Sequence, residues 1–254
     1  MISVVLLYLL PLVVGTPGER QSPIPDGMPF AVGEHLRYSV KMGMLRVGTG
    51  TMSIVGTDSL RGVASYHFVF TLEGGIPGYR INDRFESWTG REDMVSRRFY
   101  KDIREGGSRH SATFEIFPDS GHYLKNGAEP RPTPPDPLDD ASFFYFIRTV
   151  PLEVGKTYSF DRYYDAAMNP MTIRVEKREN IKLPDGTKVP TLVLHPVMGE
   201  HGMLARRAKA KVWLTDDERR LPVRIRSKLP FGTLTLKLES ASTLPDADAD
   251  THAP

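Results

Sequence analysis

Between Arg206 and Ser240 apolar and polar residues alternate with a period of two. Ala208, Ala210, Val212 and Leu214 interleave with Arg207, Lys209, Lys211 and Trp213. After the polar TDDERR turn, Leu221, Val223, Ile225 and Leu229 interleave with Arg224, Arg226 and Lys228. A third run sets Leu234, Leu236 and Leu238 against Thr233, Thr235 and Lys237. This period places one side chain in two on a buried face, and it predicts three consecutive strands.

The same signal recurs upstream. Leu36, Tyr38 and Val40, followed by Val47, Thr49, Thr51 and Ser53, predict two strands joined near Met42 to Leu45, with Gly43, Gly48 and Gly50 marking bulges or close backbone approach. Tyr66, Phe68 and Phe70 alternate in the next strand, which GGIPG at Gly74 to Gly78 is expected to end. Asp83 to Thr89 and Met94 to Arg104 form a hairpin around Gly90 to Asp93, and Ser108 to Phe117 forms another strand. Strands resume at Tyr158 to Tyr164, Met171 to Arg178 and Thr191 to Val197, with Asp185-Gly186 as the clearest tight-turn signal. The chain shows no internal repeat of fixed period.

One segment breaks the pattern. DDASFFYFIRTV, after the five-proline loop Gly127 to Pro137, is a helix expected near Asp139 to Arg148, with Asp136 as N-cap, Pro137 at the first helical position and Pro151 as the stop. Phe143, Phe144, Tyr145, Phe146 and Ile147 leave it almost no polar side, so it must be covered on several faces. The expected architecture is all-β and mainly antiparallel. About ten to twelve strands would curl into an open sheet or half-barrel with this one apolar helix on the concave side.

The ends differ from the middle. Ile2 to Val14 is apolar, shorter than the about 20 residues a spanning helix needs, and is followed by small residues. Residues 1–18 therefore read as a signal peptide, although no Lys or Arg precedes the apolar run. Residues 19–29 read as a proline-rich linker, 30–244 as one β-rich domain and the acidic 245–254 as a disordered tail. The chain is then an exported protein, periplasmic or associated with the outer envelope, soluble once the leader is removed, and a monomer.

Composition narrows the chemistry. With 33 basic against 31 acidic residues the formal charge is +2, which does not suit a nucleic-acid partner. The absence of cysteine excludes disulfides, thiol nucleophiles, cysteine metal sites and a lipidated N-terminal cysteine. No Gly-x-Ser-x-Gly, phosphate loop or dinucleotide fingerprint is present, and no cofactor or metal is called for. His195, Glu200 and His201 match no ligand spacing. Asp139, Asp140, Asp216, Asp217 and Glu218 are acid–base candidates, but all five stand where caps and turns want acids.

Three stretches, PFAVGEHLRYSVKMGMLRVGTGTMSI, PLDDASFFYFIRTVPLEVGKTYSF and VWLTDDERRLPVRIRSKLPFGTLTLKL, together resemble a bacterial envelope family catalogued as domain of unknown function 3108. The marks are the Gly33-Glu34 pair, the Asp139-to-Arg148 helix with Val154-Gly155 after it, and the Trp213-to-Pro222 turn. The resemblance implies export and a β-rich domain, and brings no activity or ligand. A fold similarity to half-barrel carriers of the lipoprotein-localisation type is an analogy of architecture alone.

Two candidate sites follow. In a curled sheet the inward residues and Phe143, Phe144, Phe146 and Ile147 would wall a pocket for a lipid or glycolipid, with Tyr145 and Arg148 as polar contacts at its mouth; the alternative is plain core. If the strands at Arg206–Leu214 and Leu221–Leu229 pair, Lys209, Lys211, Arg224, Arg226 and Lys228 share one face, with Trp213 available to stack on a guanidinium. That face suits a lipid head group, an anionic envelope glycan or peripheral membrane contact; the alternative is a solvated surface that resists edge aggregation. A non-enzymatic binding module is the expected class. An envelope enzyme acting on glycans through carboxylates and a structural partner-binding module are its competitors.

Overall fold

The structure, a computed structural model, describes residues 27–198, 204, 209–229 and 232–243. The expected signal peptide, the tail from Pro245, most of the linker, and Glu200 and His201 lie outside the described residues. Fourteen strands, more than the ten to twelve expected, form one antiparallel sheet. In chain order β1 is Glu34–Met42, β2 Leu45–Leu60, β3 Val63–Ile76, β4 Tyr79–Gly90, β5 Ser96–Glu105, β6 Ser108–Phe117, β7 His122–Lys125 and β8 Arg131–Pro132. The helix α1, Ser142–Thr149, follows. The remaining strands are β9 Thr157–Phe160, β10 Met171–Lys182, β11 Lys188–Val197, β12 Lys211–Thr215, β13 Pro222–Leu229 and β14 Gly232–Thr243. The sheet order is β8-β7-β6-β5-β4-β3-β2-β1-β14-β13-β12-β11-β10-β9.

All neighbours but one are successive strands, and the exception, β1 with β14, joins the two ends of the domain in the middle of the sheet. The extra strands are short ones in places without an alternating pattern: β8 has two residues within the proline-rich loop. The GG at Gly74 and Gly75 does not end its strand either; β3 runs through both to Ile76. Of the strand expected from Arg206, residues 206–208 lie outside the described residues; β12 begins at Lys211, and Lys209 precedes it with a φ of 44°.

Period two then decides what faces inward. Register places Tyr38 beside Gly50 and Leu238, Met52 beside Phe70, and Ile225 beside Val212 and Leu236, and these apolar rows form the concave face. Polar alternates such as Thr51 and Thr71, whose hydroxyls meet at 2.8 Å, lie on the convex face. The sheet stays open. Its two ends are brought together by Leu138, whose N–H donates to Arg162 O and whose carbonyl accepts from Tyr164 N at 2.9 Å. Tyr164 then packs on Phe99, Phe114 and Tyr123 of the opposite end, with ring centroids 5.9, 5.0 and 5.2 Å away.

The helix lies against the concave face, as its all-round apolar sequence demands, but starts later than the Asp136 cap suggested. Asp139 takes the capping role: its Oδ1 accepts from the N–H groups of Ala141 at 2.9 Å and Ser142 at 2.8 Å. Pro137 is instead spent on sheet contact, its carbonyl accepting from Ser96 N at 2.8 Å.

Candidate functional site

The helix is locked at both ends by buried polar groups. At its start the Asp139 Oδ2 accepts from the hydroxyls of Ser87 and Ser96, each at 2.5 Å, so this carboxylate has four donors and no exposure. Burial raises its pKa to about 6, against the lowering effect of the same hydrogen bonds. At the helix's other end Arg148 makes a two-point pair with Glu34 of β1, Nη1 to Oε1 at 2.6 Å and Nη2 to Oε2 at 3.0 Å. Arg148 also donates from Nη2 to Pro29 O at 2.7 Å and from Nε to Arg219 O at 3.1 Å, and its guanidinium lies 5.2 Å from the centroid of Phe30. Arg148 is thus buried in a clamp; it borders a depression with Phe30 and Glu34, and does not line the cavity that Phe144 faces. The Gly33-Glu34 pair and the aromatic helix, separate in the sequence, meet in this one ion pair.

Between those ends the aromatic residues divide. Phe143 and Ile147 are fully buried, Tyr145 stacks on Phe68 at 4.0 Å, and Phe146 meets Phe160 edge-on at 5.1 Å. Phe144 alone of the helix aromatics faces a cavity of ≈ 380 Å³. Val40, Met42, Phe70, Leu72, Ile81 and Phe85 wall one side, and Leu229, Leu234, Met198 and Leu204 the other. Strands β5 and β13, six places apart in the sheet order, both reach it, so curling of the sheet makes the cavity.

The curl has a local cause in three glycines. A Cβ on Gly48 would stand 2.0 Å from Glu73 O, one on Gly74 2.1 Å from Val47 O, and one on Gly75 2.2 Å from Tyr79 O. Only glycine allows β2, β3 and β4 to approach this closely along the cavity wall. Strand β2 also carries an extra residue at this point, where Val40 pairs with Gly48 but Lys41 with Arg46.

Few polar groups reach the wall. Asp83 on β4 accepts from Arg104 N at 3.0 Å, and burial pushes its pKa up to about 6. Asp140, just ahead of the helix, is likewise raised by burial and drawn back by Lys101 and by the Tyr163 hydroxyl that donates to it at 3.2 Å. Of the five acids considered from sequence, Asp140 is the one that lines this cavity. Asp139 caps the helix, Asp216 pairs with Arg178 at 2.7 Å, and Asp217 accepts from Thr215 Oγ1 at 2.6 Å and Arg220 N at 3.0 Å inside its turn. Glu218 edges a separate depression beside Arg148.

The second group of candidates sits on the other side of the sheet. In register, Lys211 opposes Arg226, Trp213 opposes Arg224, and Arg224 opposes Lys237 on β14. The indole of Trp213 is buried beneath two guanidiniums, Arg224 at 5.3 Å and Arg226 at 5.5 Å from its ring centroid. The expected stacking is present, but the positive charge is shared out: Lys211 Nζ binds Glu176 at 2.5 Å and Lys177 binds Glu179 at 2.7 Å. Trp213, Arg224 and Arg226 cannot contact a molecule held beside Phe144, because a whole sheet lies between them.

Sequence reading missed Asp83, Lys101 and Tyr163 because each becomes part of the cavity only through long-range register. The glycine row was visible as Gly48, Gly74 and Gly75, yet its meaning required knowing that β3 continues through it. Among the described residues no group of His, Asp and Glu is arranged to hold a metal ion.

These features define an open, curled antiparallel sheet with a helix on its concave face and an apolar cavity beside that helix. The chain belongs to the family described as "Protein of unknown function (DUF3108)", which matches residues 37–239. Among solved structures, the beta-barrel-like protein of domain of unknown function DUF1849 from Brucella abortus is 7% identical, with 84% of this chain and 98% of that one covered and a TM-score of 0.48. The hypothetical protein CT021 from Chlamydia trachomatis is 11% identical, with 92% and 98% covered and a TM-score of 0.28. No curated protein matches the chain.

Proposed function

We propose that this protein is a non-enzymatic binding module of the bacterial envelope that takes the apolar chain of an amphipathic molecule, a lipid or glycolipid, into the cavity beside Phe144. The observation that carries the reading is the cavity itself. Its ≈ 380 Å³ falls within the about 300–1,000 Å³ usual for ligand sites, and its wall is aliphatic and aromatic apart from a few polar groups. Of the acids considered as catalysts, Asp139, Asp216 and Asp217 are engaged in a cap, an ion pair and a turn, and Asp140 is the one that reaches the cavity, so the cavity holds no pair of them, which supports a binding role. The apolar run at Ile2 to Val14 supports export.

Gently purified protein analysed by native mass spectrometry should carry copurified lipid, and delipidated protein should bind a fluorescent fatty-acyl probe. Ile81→Trp, which adds an indole at a half-buried wall position, should weaken the probe by more than about tenfold while the fold persists. Equal binding by wild type and Ile81→Trp, or none by either, would remove the carrier reading and leave a structural or partner-binding module.

A further inference from the structure

Of the exposed large apolar side chains among the described residues, all but Val154 sit on two neighbouring hairpin tips: Met44 at 97% exposure, Leu45 at 61%, Ile76 at 49% and Tyr79 at 39%. The β1–β2 tip and the β3–β4 tip are adjacent because β2 and β3 pair as far as Gly48 with Gly74. Both stand at the cavity end of the sheet. Leu45 is directly opposite Met42, and Ile76 opposite Tyr79, two positions beyond the cavity-lining Gly74 and Ile81. With a side-chain period of two, Leu45, Ile76 and Tyr79 lie on the same face as the cavity wall. The apolar wall therefore continues past the mouth onto an exposed rim.

The opposite face of the same tips carries three basic side chains, with the exposed Glu73 of β3 beside them. Lys41 and Arg46 oppose one another, and Arg80 opposes Gly75. Arg46 holds Glu239 at 2.8 Å yet stays half exposed, and Arg80 is exposed. Apolar side chains at the tip backed by guanidinium and ammonium groups match the order of a lipid surface, acyl chains within and phosphates outside.

We infer that this rim docks on an anionic lipid bilayer, with Met44, Leu45, Ile76 and Tyr79 entering the acyl boundary and Lys41, Arg46 and Arg80 at the phosphates. The bilayer is the occupant because the exposed apolar groups ring the entrance of an apolar cavity, and docking there opens that entrance to lipid chains without a path through water. The purpose of docking rests on the proposed carrier function; the docking itself rests on the rim alone.

The test is co-sedimentation with vesicles of phosphatidylcholine and phosphatidylglycerol in equal parts. The wild type should pellet, and should pellet less with phosphatidylcholine alone, because each basic group near an anionic surface contributes a few-fold. The double variant Leu45→Asp/Ile76→Asp should lose at least about tenfold in affinity with an unchanged melting curve, since both side chains are exposed. Met44→Asp, at the most exposed position, should act in the same direction and guards against a folding defect in the double variant. Met44→Trp should show indole emission quenched by brominated lipid.

Absence of pelleting by the wild type, or wild-type pelleting by both Asp variants, would overturn the inference. So would a dimer in sedimentation velocity that the double variant abolishes without any vesicle binding, which would assign the rim to a second copy. Fatty-acyl probe binding without vesicles separates the two proposals. The Asp variants should retain it, whereas a wild type that pellets but binds no probe would sink the carrier function and keep the rim.

Discussion

The two ends of the concave face are built on opposite principles. At the two ends of the helix the charged groups are buried and engaged: Asp139 accepts four hydrogen bonds, and Arg148 is held by Glu34 and two backbone carbonyls. At the cavity end the wall is mostly apolar, and three glycines bring the backbones together. Satisfied polar groups fix a position; unfilled apolar space leaves room for another molecule. A buried charge is therefore no sign of a site here. The most polar interior contacts are the ones that anchor the plug.

If that contrast is right, the largest effect on stability comes from the clamp. Arg148→Ala strands the Glu34 carboxylate, and removing one partner of a buried pair costs about 3–5 kcal/mol. Urea denaturation should show that loss, whereas Glu34→Met/Arg148→Met should recover most of it. Gly74→Ala comes next, at about 3 kcal/mol, because its Cβ meets the Val47 carbonyl and backbone cannot step aside. Gly43→Ala, with φ +59° and open space around it, should cost only about 1 kcal/mol.

Asp139 offers a pH test. Its raised pKa, about 6 against the ordinary 3.8, means that the folded protein holds this proton more tightly than the unfolded chain. The resulting stabilisation is complete below about pH 4 and is lost as pH rises through about 6. Asp139→Asn should flatten the stability–pH curve between those values, and an unchanged slope would show that the carboxyl titrates normally. At the cavity the corresponding change is in binding: fatty-acyl probe affinity should rise about two- to fivefold as pH falls through 6 and Asp83 becomes neutral, and Asp83→Asn should abolish that rise.

The smallest expected effect is on the convex face. Arg226→Ala removes one of two guanidiniums over Trp213 and should cost about 0.5–1 kcal/mol, with no change in probe binding. Weaker probe binding in this variant would mean that the two faces communicate through the sheet.

Much of this molecule is determined by local pattern. Alternation along β1 to β6 and β10 to β14 sets which residues point inward, because the strand period is a property of the backbone, and the run from Phe143 to Ile147 could only be a covered helix. Turn chemistry at Asp185-Gly186 is equally local; Leu183 N–H donates to Thr187 O at 2.8 Å across it. Tertiary structure decided the rest. The joining of β1 to β14, the meeting of Glu34 with Arg148 across 114 positions of the chain, and the separation of Phe144 from Trp213 by a sheet all depend on long-range register. The cavity depends on it most, since its walls are ordinary core residues in sequence, and only the curl that the close-packed glycines permit leaves space between them.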